Sequence, residues 1–487
     1  MRRLVSPAVV LLLLLLLHPG TGNAGCPELV QFLAGQAADV VCFESPDLTT
    51  KNTTPPPTGP TTPANNSLPG LPAFAFTPIT DRAVISPDPP NTTPITKAVP
   101  GIKVQGRFAD DPTGEARFLL RLPSDWNGRL VVAGASGTRS EFNGDLAFGD
   151  YVVQKGYAYA SQNKGILNLF LTTAADPLGC RLNPSTQVFV HFYANDPDKP
   201  FTLWTDVIIR TARLAAEAVK AQYHGPARRV YAVGASNGGY QVRRVIEEAP
   251  DLFDGGMDWE GTLAGPNILI DLPVVLKHFP GYVASGFNPN GADAQAIRAA
   301  GYPPDLVSGT LSFWGLYNAQ FYEVTMCQWQ KRFDPTYDTY GAGLGNYDYA
   351  ARVVLTDVAA QLAPVEPTGK IKKPLITVAG TMDGLLPIVR HARAYEALVN
   401  ASRRGNNDQR APQYRLYEIQ NGNHIETFKN FFPQLEFIMP HAQHAFDLLV
   451  DHVEDNAALP PSQCVPRGST IAPTPVQPGH CPALLVP

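Results

Sequence analysis

The chain has 487 residues, of which 44% are hydrophobic and 17% charged, enough for a large folded domain with additional segments. Its formal net charge of −5 gives no electrostatic reason to bind nucleic acid or an anionic membrane surface. Many of the 47 prolines lie towards the two ends, so irregular flanks are expected around an ordinary core.

Arg2 and Arg3 lead into the apolar run Ala8–Leu17, followed by Pro19 and Gly20. A basic start, a short apolar run and small residues before a cut read as a signal peptide over residues 1–24, cleaved after Ala24. The run is too short to span a bilayer, so a secreted or periplasmic protein without a membrane span is expected. An even number of cysteines in an exported chain reads as disulfides. Spacing favours Cys26–Cys42 and Cys464–Cys481 as closures of short terminal loops. That leaves Cys180–Cys327 to tie a core loop to a mid-chain insertion. No cysteine pair has the C-x-x-C spacing of a zinc or redox site, and neither metal nor cofactor is expected.

Residues 25–100 begin with a small hooked segment and pass into a Thr/Pro-rich run such as Thr54–Pro63, which is extended and builds no core. The first part of the core is expected over 101–262. Ile102–Phe108 and Ala116–Leu122 alternate as strands do, and Leu130–Gly134 reads as a buried strand. Asp150–Gly156 reads as a helix end closed by glycine, and Tyr157–Ser161 as a further strand. From about Trp204 to Tyr223 the period is helical, with Val207, Ile208, Thr211, Ala212, Leu214 and Ala215 on the inner side.

Arg229-Val-Tyr-Ala-Val then runs into Gly234-Ala-Ser-Asn-Gly238 and a helical stretch to Glu248. This is the strand, tight turn and helix of a G-x-S-x-G nucleophile elbow. A serine hydroxyl is a weak nucleophile and must stand clear of the backbone to meet a base and a carbonyl carbon. The turn that achieves this needs small residues two before and two after Ser236.

Residues 263–368 are rich in aromatics and short helical stretches, and are expected to form a lid insertion. The core resumes over 369–455. A strand at Lys373–Gly380 empties into Thr381-Met-Asp-Gly384, a helix follows from Pro387 to Asn400, and a strand at Gln413–Ile419 empties into Gln420-Asn-Gly-Asn-His424. Residues 456–487 are a Pro-rich tail. Strands alternating with helices predict a mostly parallel sheet with helices on both faces.

In such a sheet the serine, an acid and a histidine come in that order and meet at the carboxyl ends of strands. Asp383 and His424 both occupy such ends. His424 would take the Ser236 proton, and Asp383 would orient the imidazole and stabilise its cation. Asp258 and Glu260 are reserve acids. An oxyanion needs two backbone donors: the N–H of Asn237, and one from the loop Gly134-Ala-Ser-Gly137, either Ala135 or Ser136. Arg139 and Glu141 bind substrate or brace that loop, and Trp259 is a candidate wall of an acyl pocket.

These residues resemble the α/β-hydrolase fold. Leu122-Pro-Ser-Asp-Trp-Asn-Gly-Arg-Leu130, Lys155-Gly-Tyr-Ala-Tyr-Ala-Ser161 and the serine elbow narrow the likeness. Together they are similar to the secreted tannase and feruloyl esterase family and to bacterial hydrolases of hydroxybutyrate oligomers. The resemblance implies Ser236 as nucleophile, Asp383 as acid, His424 as base, and small or oligomeric carboxylic esters as substrates. An exported serine peptidase on the same fold, or a binding module that has lost catalysis, remain as alternatives; the sequence does not give the oligomeric state.

Overall fold

The computed structural model describes residues 25–52, 94–137, 141, 146–166, 170–171, 189–190, 202–263, 265, 271–337, 346–355, 357–403 and 412–487. The expected signal peptide, most of the Thr/Pro-rich run, Arg139 and Cys180 lie outside them.

Eleven strands form one sheet: β1 (Ala37–Ser45), β2 (Gly101–Phe108), β3 (Arg117–Pro123), β4 (Arg129–Ala133), β5 (Ala158–Gln162), β6 (Arg229–Ala235), β7 (Gly255–Trp259), β8 (Leu375–Gly380), β9 (Tyr414–Ile419), β10 (Gln463–Val465) and β11 (Gln477–Pro478). Their order is β1-β2-β3-β5-β4-β6-β7-β8-β9-β10-β11. From β5 to β10 every neighbouring pair is parallel. The first four strands in that order, and the closing β10–β11 pair, are antiparallel.

The central strands are continuous apolar runs because both faces are covered. Leu130, Val132, Ala232, Leu375 and Leu416 face one layer of helices. That layer comprises α1 (Cys26–Leu33), α3 (Leu203–Tyr223), α4 (Asn237–Glu248) and α5 (Ala392–Arg403). Val131, Tyr231, Val233, Ile376, Val378 and Tyr417 face α2 (Leu146–Val153) and α6 (Met439–Asp455). The period-two alternation thus sorts each strand's side chains between two cores. On α3 the six residues expected inside are all buried. Helix α5 begins at Ala392 and not at Pro387; the residues before it form turns.

Between β7 and β8 the chain leaves the sheet for an aromatic-rich, largely helical stretch with its own core around Trp314, Tyr317, Tyr322 and Trp329. A two-residue hairpin, Val307–Ser308 with Leu311–Ser312, interrupts the helices, where no strand was expected.

Both ends of the described chain join the sheet. The hooked segment pairs β1 with β2, and Cys26–Cys42 pins α1 to it. The Pro-rich tail adds β10 and β11 and is closed by Cys464–Cys481. Cys327 is disulfide-bonded as well. The tail then crosses the carboxyl edge of the sheet. Asn421 exchanges two hydrogen bonds with the Val486 backbone, at 2.7 and 2.9 Å, and Gln420 Nε2 donates to the Ala483 carbonyl at 3.1 Å. The Thr381 hydroxyl donates to the Leu484 carbonyl. Among the described residues no helix is long and apolar enough to cross a membrane.

Candidate active site

Ser236 stands where β6 turns into α4. Its backbone has φ 57° and ψ −121°, a left-handed conformation that a residue with a Cβ adopts at a cost of roughly 1–3 kcal/mol. The turn leaves no room beside it: a Cβ on Gly234 would lie 2.5 Å from the Gly238 carbonyl. Asn237 opens α4, so its N–H has no intrahelical acceptor.

Three further strand ends lie along the same edge. The Ser236 N–H donates to the Trp259 carbonyl at 2.9 Å, Glu260 N–H to Val378 at 2.7 Å, and Thr381 N–H to Ile419 at 3.0 Å. The loops after β8 and β9 touch backbone to backbone, since a Cβ on Gly380 would lie 2.3 Å from the Gly422 carbonyl oxygen. This contact delivers the acid to the histidine. Asp383 Oδ2 lies 2.9 Å from His424 Nδ1. Asp383 Oδ1 accepts from the Leu385 and Leu386 N–H groups at 2.8 and 2.6 Å, which fixes the carboxylate's direction. An imidazole that donates from Nδ1 to a carboxylate presents Nε2 as a base. No hydrogen bond joins Ser236 Oγ to His424 in this structure.

The aromatic insertion fastens both loops. Tyr317 Oη donates to Asn423 Oδ1 at 2.6 Å, and Tyr322 Oη donates to the Gly384 carbonyl at 2.7 Å. Each of these loops is therefore held from two sides, by the insertion and by the tail.

The reserve acids separate. Asp258 is fully buried in an ion pair with Arg243 at 2.6 Å and also accepts from Thr377 and Gly261, so it is structural. Glu260 turns towards the histidine: Oε2 lies 3.4 Å from His424 Nδ1, while Oε1 accepts from the Gly380 N–H at 2.9 Å. Burial, reinforced by the charge of Asp383, pushes the Glu260 carboxyl well above its ordinary range. Glu260, Asp383 and His424 bring ligand-type atoms within 4.8 Å of one another, a grouping that could hold a cation. An imidazole backed by two carboxylates produces the same closeness without one.

Two of the expected residues, one in the loop after β4 and one at the end of β7, require correction. The Ala135 N–H is already donated to Gln241 Oε1 at 2.7 Å, which removes it from the expected oxyanion donors. Of the two candidates from this loop that leaves Ser136, whose hydroxyl is anchored on the Ala235 carbonyl at 2.9 Å and whose carbonyl takes the Lys164 ammonium. Trp259 is a core residue, 7% exposed, with its ring edge-on to Phe148, because strand alternation turns it onto the α2/α6 face. Glu141 is buried and its carbonyl accepts the Ser161 hydroxyl at 2.5 Å, a bracing contact.

His391 was not singled out by the sequence, yet it is buried close enough to His424 for their charges to interact. Its Nδ1 accepts the Leu263 N–H at 2.9 Å. Burial, aided by Arg243, lowers its pKa from 6.5 to about 3. The folded state therefore keeps this ring neutral where the unfolded chain protonates it. Stability should fall as pH drops from 6.5 towards 3, because the unfolded state binds the extra proton. His391→Gln, which retains an acceptor for Leu263, should flatten that part of the melting temperature–pH curve.

An elbow serine, a carboxylate-backed histidine at the same sheet edge, and the run β2-β3-β5-β4-β6-β7-β8-β9 with β3 antiparallel to both neighbours define a protein of the α/β-hydrolase fold. Residues 346–486, which include Asp383 and His424 but not Ser236, match the family of 3HB-oligomer hydrolases. The chain is 34% identical over 119 residues to the D-(-)-3-hydroxybutyrate oligomer hydrolase of Burkholderia thailandensis, a stretch covering 23% of this chain and 15% of that protein. Its counterpart in Burkholderia mallei is 35% identical over 118 residues, with the same shares covered. Among solved structures, feruloyl esterase B of Aspergillus oryzae is similar at a TM-score of 0.49 and 15% identity, over 78% of this chain and 86% of that one. Tannin acyl hydrolase of Aspergillus niger gives 0.41 and 13%, over 79% and 83%.

Proposed function

We propose that this chain is an exported serine hydrolase of carboxylic esters that works through an acyl-enzyme. Ser236 Oγ attacks the acyl carbon as its proton passes to His424 Nε2, and Asp383 stabilises the imidazolium that forms. The N–H groups of Asn237 and Ser136 receive the oxyanion. His424 returns the proton to the leaving alcohol, and water repeats the sequence to release the acid. The insertion 263–368 acts as a lid over this edge.

The observation that carries the reading is the 2.9 Å contact of His424 Nδ1 with Asp383, at the edge where the strained Ser236 stands. Export is supported by the leader-like first 24 residues and by the disulfides. The hydroxybutyrate oligomer hydrolases that match part of the chain favour hydroxyalkanoate oligomers or other small esters as substrates.

Residues 25–487 assayed in parallel on 4-nitrophenyl esters, 3-hydroxybutyrate oligomers and aminoacyl nitroanilides should hydrolyse the two ester classes and spare the anilides. Folded protein without turnover of any ester would remove the reading.

A further inference from the structure

Building on the serine-hydrolase reading, we propose that Glu260 is a positioning residue for His424, a second acid that shares the imidazole with Asp383 and holds it when Asp383 is lost. Two carboxyl groups from different strand ends converge on one ring nitrogen, Asp383 Oδ2 at 2.9 Å and Glu260 Oε2 at 3.4 Å. Asp383 arrives on the loop after β8, and Glu260 is the first residue past β7.

Three features set Glu260 apart from an ordinary core acid. Three deeply buried acids are ion-paired with a guanidinium: Asp258 with Arg243, Glu418 with Arg393, and Asp334 with Arg352. Among the described residues Glu260, like Asp271 and Asp383, has none; it is bonded by the Gly380 N–H, and the imidazole and the Trp259 indole lie beside it. Its backbone lies at φ 49°, where a residue with a side chain is strained. The Glu260 N–H to Val378 and the Gly380 N–H to Oε1 hold it there from both ends. Strain, burial and a missing counter-ion all weigh against stability, and the one group that gains from this placement is the imidazole.

The charges around the carboxyl explain how two acids serve one base. Asp383, His424 and Glu426 from the loops after β8 and β9, and Tyr317 from the insertion, all influence or are influenced by Glu260. In the resting site the Nδ1 proton faces Asp383, the nearer acid, while burial and the Asp383 charge both oppose ionisation of Glu260. Moving the Ser236 proton onto Nε2 makes the ring cationic, and a cation at this distance favours the carboxylate. Removing Asp383 deletes the negative neighbour, so Glu260 ionises more readily and accepts the Nδ1 proton in its place.

The test is a double-mutant cycle on the full mature chain with a 4-nitrophenyl ester. Asp383→Ala should lose about 10²-fold in kcat, against the ~10⁴-fold expected when a lone triad acid is disabled. Asp383→Ala/Glu260→Gln should fall by about a further 10²-fold, to the level of a site without an acid. Glu260→Gln alone should cost only a few-fold in kcat, with KM unchanged. The residual activity of Asp383→Ala should rise with pH through the ionisation of Glu260, a limb missing from the double variant. Asp383→Asn, which keeps an acceptor for Leu385 and Leu386, repeats the comparison if the alanine variant does not fold. Folded Asp383→Ala and Asp383→Asn that are each as inactive as their doubles would overturn the proposal. So would wild-type turnover abolished by chelation and restored by a divalent cation, since the cluster would then hold a metal. Ester turnover that depends on Ser236 in the same preparation keeps either failure separate from the serine-hydrolase reading.

Discussion

Ser236→Ala should lower kcat on a 4-nitrophenyl ester by about 10⁶-fold and leave the melting temperature nearly unchanged. Activity and stability come apart here because of how the serine is placed. The cost of the elbow lies in the backbone, at φ 57° and ψ −121°, and alanine has the same Cβ in the same conformation. The hydroxyl makes no hydrogen bond among the described residues, so its removal leaves no buried partner unsatisfied. Its backbone bonds to Trp259 and Thr262 remain. A stopped assay with matched thermal unfolding separates the two effects. Substantial turnover by the alanine variant would end the nucleophile assignment.

The largest loss of stability is expected from breaking the buried ion pair beneath the elbow helix. Arg243 and Asp258 are both fully buried, with Nε and Oδ2 2.6 Å apart. Arg243 also lies 4.4 Å from the Tyr395 ring centroid, and Asp258 receives the Thr377 hydroxyl at 2.8 Å and the Gly261 N–H at 2.7 Å. Arg243→Met strands an unpaired carboxylate in the core, a loss of about 3–5 kcal/mol. The melting temperature should fall by roughly 3–5 °C for a chain of this size. Arg243→Met/Asp258→Leu should recover much of that loss, because an apolar pair of similar volume avoids the desolvation penalty of both charges. A double variant no more stable than Arg243→Met would show that the hydrogen bonds of Asp258, and not the charge pairing, carry the effect.

The elbow was legible in the sequence because its requirements are local: an apolar strand, small residues around the serine, and a helix at once. Asp383 and His424 were legible for a related reason, each lying in a small-residue loop directly after a recognisable strand. What the sequence hid depends on which strands lie side by side. Glu260 reaches His424 because β7 pairs with β8, and pairing between distant segments leaves no local trace. The Ala135 N–H is lost to Gln241, a side chain on α4 far along the chain. Trp259 was a candidate pocket wall as a large aromatic, yet a period of two turns its ring into the core beside Phe148. β1 was masked by its irregularity: Asp39 sits at φ 57° and the register with β2 slips between Ala38 and Val41. β10 and β11 were concealed by proline-rich surroundings that read as structureless.

The path of residues 483–486 bears on how this protein can be handled. Fusion partners are commonly appended at a chain terminus on the assumption that it is remote from chemistry. Here that stretch is hydrogen-bonded to Thr381, two positions from Asp383, and to Gln420 and Asn421, four and three positions from His424. An affinity handle or reporter placed after residue 487 would tug on those loops, whereas one placed ahead of residue 25 would join the chain at α1, at the β1 end of the sheet.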